Sequence, residues 1–197
     1  GRAGVRGEKM IAQTLDFIVN GLDQALRIRH PSEDSLAVLE PIANVTAGSS
    51  EGVANKLVVS LVNLERESTA SNASRRYRNV EGTAHEANPP LHLNLFILVA
   101  ANFPDNYKDG LTLLSSAIGH FQSHPLMTPQ AAPDMPAGLG RLSVEWHDVD
   151  MQETHNMWST MGGKYLPSAV YKLRLVTFDG DDPSQPVPVV TSTSVSV

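Results

Sequence analysis

The stretch PPLHLNLFILVAANF, residues 89–103, carries a long strand pattern near the middle of the chain. Its odd-numbered positions from Leu91 to Val99 are all apolar, which is the period-two alternation of a β-strand. The stretch that follows, NYKDGLTLLSSAIGHFQSHP at 106–125, places apolar side chains on one helical stripe, and a His-Pro pair ends that helix. The stripe consists of Leu111, Leu114, Ile118 and Phe121. A strand that leads into an amphipathic helix predicts helices packed on a sheet.

The segments before this stretch extend the same arrangement. Apolar residues at steps of three and four predict an opening helix over residues 10–28 that docks on another element. A weak strand is predicted before Pro41, which interrupts it. In KLVVSLVNLERE, residues 56–67, both faces are apolar at the centre, so we expect this strand to be covered on both sides.

The segments after it add two strands and a helix. RLSVEWHD, residues 141–148, predicts a strand with Leu142, Val144 and Trp146 inward. Asp150 and Glu153 have the spacing of a capping box, which predicts that a short third helix begins there. AVYKLRLVTF at residues 169–178 predicts the last well-supported strand.

The sequence thus predicts an α+β fold, a mixed and mainly antiparallel sheet packed by about three helices. We expect the globular domain to span residues 10–179, preceded by a flexible or non-native start at 1–9. Residues 180–197 are predicted to form an extended C-terminal arm.

Two segments have the composition of contact surfaces. Residues 68–90 show almost no apolar periodicity and predict a long mobile loop, a kind of segment that is often functional. Within it Arg75, Arg76, Tyr77 and Arg78 form a cluster, and arginine with tyrosine is favoured where proteins meet. The alternative is a solvated loop.

The other segment is SQPVPVVTSTSVSV at 184–197. It places β-branched side chains on one face of an extended strand. These are Val187, Val189, Thr191, Thr193, Val195 and Val197. Because a strand needs a neighbour for its backbone hydrogen bonds, we predict that this arm adds a strand to the sheet of another chain. The alternatives are that it folds back on its own sheet or stays disordered.

Composition excludes several function classes. The chain has 197 residues with a formal net charge of −6, which argues against broad binding to nucleic acid or anionic lipid. It has no cysteine, so disulfides, thiolate metal sites and cysteine nucleophiles cannot exist. Its longest apolar run, 95–101, is far shorter than the roughly 20 residues that a membrane-spanning helix needs.

No residue pattern predicts an active site. His120 and His124 have helical spacing for a metal, but the pattern of a zinc hydrolase is missing, and a surface or capping role is favoured. His92 and Asn94 share a face of the central strand, where hydrogen bonds to a helix or a neighbouring chain are favoured over catalysis. Neither a nucleophile elbow nor a phosphate-binding loop occurs. We therefore expect no catalytic residues, no metal and no cofactor.

Three stretches together resemble the tail-terminator, or cap, proteins of contractile injection systems, which are phage-tail-like particles with a contracting sheath around a tube. They are KLVVSLVNLERE at 56–67, PPLHLNLFILVAANF with the helix after it, and LSVEWHDVDMQETHNMWSTMGGKYLPSAVYKLRLVTFD at 142–179. Their order and spacing are similar to those of the family's amino-terminal domain. The proline pair, the leucine-rich strand and the Asn-x-Trp-Ser motif at 156–159 carry most of the likeness.

The resemblance implies a non-enzymatic structural protein that forms a hexameric ring and closes the distal end of tube and sheath. It implies sheath and tube proteins as partners, assembly in the bacterial cytoplasm, and later presence in a released or cell-associated particle. The arm would then reach the next ring subunit or a sheath protein. Two alternatives are a hydrolase that uses some of His85, His120, His147 and His155, and a monomeric protein-binding adaptor that uses the arginine-tyrosine segment.

Overall fold

A computed structural model describes residues 10–46, 52–67, 76–80, 83–87, 91–162 and 164–178. The helices are α1 (Met10–Arg29), α2 (Ile42–Thr46), α3 (Tyr107–Ser123) and α4 (Met151–Thr160). The strands are β1 (Ala37–Leu39), β2 (Lys56–Arg66), β3 (Arg76–Val80), β4 (Thr83–Ala87), β5 (Leu91–Asn102), β6 (Leu126–Met127), β7 (Leu142–His147) and β8 (Ser168–Phe178). The predicted α+β class is confirmed.

The main sheet has six strands in the order β1-β2-β5-β8-β7-β6. Only the β1–β2 pair is parallel in this sheet, and the other pairs are antiparallel, so the sheet is mixed and mainly antiparallel as predicted. The apolar strand β5 lies near its centre, and its residues 94–101 are buried on both faces of the sheet. Short strands lie at both edges, with three residues in β1 and two in β6.

One face of the sheet packs against α1 and α3. The stripe of α1 buries Leu22 completely and Ile18 almost completely. They meet the sheet residues Leu57, Ile97 and Leu173, which are also completely buried. Because apolar burial is the main favourable term in folding, this face holds most of the core.

The other face is covered by the two shorter helices. Ile42 of α2 and Trp158 of α4 pack in one cluster with the sheet residues Val58, Leu98 and Val170. Helices on both faces explain why β2 is apolar on both sides at its centre, and the predicted two-sided burial is confirmed.

The predicted boundaries of the third helix are also confirmed at its start. Asp150 accepts from the Glu153 N–H, while the Glu153 side chain accepts from the Asp150 N–H, which completes a capping box. After the helix, Gly162 has a φ of +67°, a left-handed conformation that ends helices and favours glycine. This fixed start places α4 beside the end of β7.

The prediction of a long mobile loop over residues 68–90 is wrong in part, because this segment contains two strands. β3 and β4 pair as an antiparallel hairpin, from Arg76 opposite Ala87 to Val80 opposite Thr83. Its strands bond to each other through the backbone and form a separate two-stranded sheet. Such pairing needs no apolar face toward the core, which is why apolar periodicity did not indicate it.

The inward placement of Trp146 is wrong as well. Leu142 and Val144 are buried, but Trp146 is 51% exposed. The indole does lie on the same face, where it makes an edge contact with the Tyr171 ring at 5.5 Å between centroids. It extends beyond the region that the helices cover.

Tyr171 supplies a buried hydroxyl with an altered acidity. Its side chain is 3% exposed, and the hydroxyl finds no hydrogen-bond partner in the part of the chain that the structure describes. Burial raises the pKa of Tyr171 to about 12. The hydroxyl is therefore a cost to folding, while the ring contributes packing.

We expect Tyr171→Phe to leave the free energy of unfolding unchanged at about pH 7 or to raise it by up to about 1 kcal/mol. The pKa of Tyr171 is about 12 in the folded chain and about 10 in the unfolded chain. The unfolded chain therefore releases this proton first, so the free energy of unfolding of the parent chain is unaffected below about pH 10 and falls as pH rises from there through about 12. Urea unfolding at about pH 7 and about pH 11 should show a steeper loss for the parent chain. An equal loss in both proteins would contradict the assignment.

Candidate interaction surfaces

Three of the candidate histidines, His120, His124 and His147, make contacts within the described part of the chain. His120 and His124 stack at the end of α3 with ring centroids 4.8 Å apart, and His124 bonds back to the His120 carbonyl. Burial lowers the pKa of His120, and the nearby His124 and Arg29 lower it further. His147 lies edge-on to Phe96, on another element. These contacts agree with the predicted surface or capping role of the pair at 120 and 124.

A metal site requires several ligands at one place. Among the described residues no three His, Cys, Asp or Glu side chains gather closely enough to hold a metal ion. His85 belongs to β4, and its side chain is not described. In the same part of the chain, no helix is both long and apolar enough to cross a membrane.

The two predicted contact segments fall largely outside the described residues. Arg75 and the whole arm, residues 180–197, lie outside them. Arg76, Tyr77 and Arg78 belong to β3, of which the structure describes the backbone. The contact roles of both segments therefore stay predictions.

The sheet offers two incomplete edges. β1 covers β2 only along Leu57–Val59, so the outer edge of β2 from Leu61 onward has no strand beside it within the described residues. A bulge between Leu61 and Asn63 and the charged pair Glu65-Arg66 lie along this stretch. Bulges and edge charges are features by which proteins discourage strand addition.

The opposite edge, at β7, has a different character. β6 pairs only with Leu142 and Ser143, and the Val144 N–H donates to the Pro125 carbonyl at 2.9 Å. Because alternate residues of a strand direct both backbone groups to the same edge, Trp146 presents its N–H and C=O outward. No described residue pairs with them there.

Aromatic side chains flank this free edge. Trp146 is held in place by a 2.8 Å hydrogen bond from its indole N–H to Asp148 and by its contact with Tyr171. Tyr165 is 62% exposed and packs its ring edge near Trp158 of α4. Trp146 and Tyr165 both line a groove of about 140 Å³ between α4 and the adjoining ends of β7 and β8. Half-exposed, rigid aromatic side chains are typical of protein contact sites.

A polar network connects the end of β2 with β5, β8 and β7. Asn94 and Glu67 are 2% and 7% exposed, and the Asn94 amide donates to the Glu67 carboxylate at 3.0 Å. Arg174 donates to the same carboxylate from two nitrogens at 3.1 and 3.2 Å, and it also reaches Glu145 at 3.5 Å. The hydrogen bond to Glu67 raises the pKa of Arg174. The predicted hydrogen bonding of Asn94 is confirmed, but its partner Glu67 directly follows β2 and belongs neither to a helix nor to a neighbouring chain.

A protein-family model matches most of this chain. The family model described as "Pvc16 N-terminal domain" matches residues 13–192. Comparison with curated protein sequences gives no match.

Two solved structures have similar folds. One is the cap of the anti-feeding prophage, described as the AFP tube terminating cap, with a TM-score of 0.57 and 14% sequence identity. The other is the sheath/tube terminator of the extracellular contractile injection system PVC in the extended state, with a TM-score of 0.53 and 18% identity. The similarity covers 90% and 93% of this chain but only 59% and 64% of those chains, so this chain spans less than two thirds of their length.

Proposed function

This chain belongs to the family described as the Pvc16 N-terminal domain, and from that membership we propose that it is a structural cap subunit that closes the distal end of the tube and sheath of a contractile injection system. The family resemblance seen in the sequence is confirmed. The observation that carries the proposal is the match of the family model over residues 13–192.

The proposal includes a hexameric ring as the working form. A ring subunit must present two different surfaces to its neighbours, in a heterologous contact that closes at a fixed number of copies. The two open sheet edges support this form, because they differ in shape and chemistry: one is bulged and charged, and the other is flanked by exposed aromatic rings. Sheath and tube proteins of the same particle are the proposed further partners.

In this role the protein makes no chemical change, so we propose that it is not an enzyme and takes no cofactor. The hydrolase alternative needs three of four histidines to converge, and His120 and His147 instead contact different neighbours. We propose assembly in the bacterial cytoplasm and a final place in a released or cell-associated particle.

Imaging of assembled particles with this subunit labelled tests the cap role. We expect label at one end of each particle, opposite the baseplate, and no label along the sheath. Label at the baseplate, along the tube or on free protein only would contradict the role. A monomeric adaptor would be found on free protein.

The proposed domain division assigns residues 10–179 to the globular domain and 180–197 to an arm that adds a strand to another chain. β8 ends at Phe178, so the arm would leave the sheet directly from its fourth strand in spatial order. The β-branched face of the arm would supply register, and its backbone would supply hydrogen bonds.

We expect deletion of residues 183–197 to abolish ring and particle assembly, since each lost arm removes one contact from every subunit. Particle counts by electron microscopy measure this. Deletion of residues 1–9 is the matched control, because the predicted flexible start makes no contact in this scheme. Unchanged assembly after the arm deletion would contradict strand addition.

A further inference from the structure

We propose that the free edge of β7 and the groove between Trp146 and Tyr165 form the acceptor site for the arm, residues 184–197, of a second copy of this chain. The inference deepens the proposed function and rests on it, because it names where the ring contact is made. It starts from the outward backbone groups of Trp146 and the two exposed aromatic rings beside them.

The chemistry of the arm fits this site. Residues 184–197 carry no charged side chain and offer a strip of valine and threonine with period two. Asp148 lines the groove and already accepts from the Trp146 indole N–H, so this donor needs no partner from the arm. The two rings lie on opposite faces of the sheet, Trp146 beside Tyr171 and Tyr165 beside Trp158. An added strand would bond to the N–H and C=O of Trp146, with its β-branched face on the Tyr165 side.

The other edge is a poorer acceptor. Along β2 the bulge at Leu61/Asn63 breaks the regular spacing of outward groups, and Glu65 and Arg66 follow. A neutral β-branched strip gains nothing from these charges and loses register at the bulge. The β7 edge is regular through Trp146, as its pairing with β8 shows no shift.

The direction of β8 favours a second copy over the chain's own arm. Ser168, the first residue of β8, lines the groove, and the strand of 11 residues then runs away from it. At about 3.3 Å per residue, Phe178 lies roughly 35 Å farther along the sheet. An arm of the same chain would use about half of residues 179–197 to return. The arm of a neighbour can arrive from outside without that return.

Engineered cysteines give a direct test, because the chain has none of its own. One full-length variant carries Tyr165→Cys and a second carries Val189→Cys; they are co-assembled into particles and, separately, mixed at high protein concentration. We expect a disulfide-linked heterodimer on oxidation, seen in a non-reducing gel and located by mass spectrometry. In the control, Leu64→Cys on β2 replaces Tyr165→Cys, because Leu64 is 44% exposed and lies on the other edge. This pair should give at least about tenfold less cross-linked product.

Three other outcomes of the cross-linking overturn the proposal. Linkage to the cysteine at position 64 would place the acceptor on β2. Linkage within one chain, in a dilute double variant Tyr165→Cys/Val189→Cys, would mean that the arm folds back. Assembled particles without linkage at position 165 would place the acceptor elsewhere while leaving the cap role intact. Label away from the particle end, with linkage present, would remove the cap role alone.

Two substitutions separate side chain from backbone. Trp146→Ala is expected to lower the yield of the 165–189 link about tenfold, as loss of a central aromatic anchor does. Trp146→Pro also removes the outward N–H and should lower the yield further, while circular dichroism stays unchanged because that N–H has no partner in the described sheet. Tyr107→Ala, an exposed aromatic outside the groove, is the control. A yield unaffected by Trp146→Ala would contradict the site.

Discussion

Replacing Phe121 with alanine is expected to lower the free energy of unfolding by about 3–5 kcal/mol, the usual cost of removing a fully buried aromatic ring. Phe121 is the last apolar residue of the α3 stripe and is 1% exposed. Its ring centroid lies 4.7 Å from that of Tyr171, so it joins the helix to β8. Urea unfolding followed by circular dichroism measures the change.

The neighbouring residue provides the control. Gln122 lies on the same helical turn but is exposed, so Gln122→Ala should change stability by no more than about 0.5 kcal/mol. A loss below about 1 kcal/mol for Phe121→Ala would mean that the end of α3 is not packed on the sheet. The exposure of the Trp146 indole would then not mark the place where α3 stops covering this face of the sheet.

The elements around Phe121 could be predicted from sequence because their periodicity is strong. The odd-numbered apolar positions of β5 and the stripe of α3 each describe one face of one element, which is local information. The observed bounds of both elements lie within a few residues of those that the sequence predicts. The capping box at Asp150 was equally local, since its two partners are three residues apart.

Trp146 shows where periodicity stops being informative. The alternation correctly assigned it to the face of Leu142 and Val144, where it contacts Tyr171. Its burial depends on how far a helix covers that face, and α3 ends at Ser123. That length is a property of another element, so the exposed indole and the groove beside it could not be inferred from the strand alone.

The polar network shows a second limit. Glu67 and Arg174 are 107 residues apart in sequence, and they meet only because β2, β5, β8 and β7 lie side by side in that order. No spacing rule connects residues across three strands. The contact roles of the arginine-tyrosine segment and of the arm remain predictions. A candidate acceptor for the arm could be named only after the free edge of β7 was observed.

The same network leads to the second large effect. Arg174→Met is expected to lower the free energy of unfolding by about 2–3 kcal/mol, because it removes two donors from a carboxylate that is 7% exposed. The value lies below the roughly 3–5 kcal/mol of a fully buried pair because the Arg174 side chain is 35% exposed and solvent screens its charge. Urea unfolding at neutral pH measures it.

A double-mutant cycle distinguishes the pair from simple loss of the arginine side chain. Glu67→Gln keeps a side chain that can accept from Asn94, and in combination with Arg174→Met it leaves no unbalanced buried charge. The double variant should therefore be more stable than Arg174→Met alone, with a coupling of about 1–2 kcal/mol. Glu145→Gln is the matched control, since that partner is 46% exposed and its loss should cost less than about 1 kcal/mol. Additive single effects would mean that the two charges do not act as a pair.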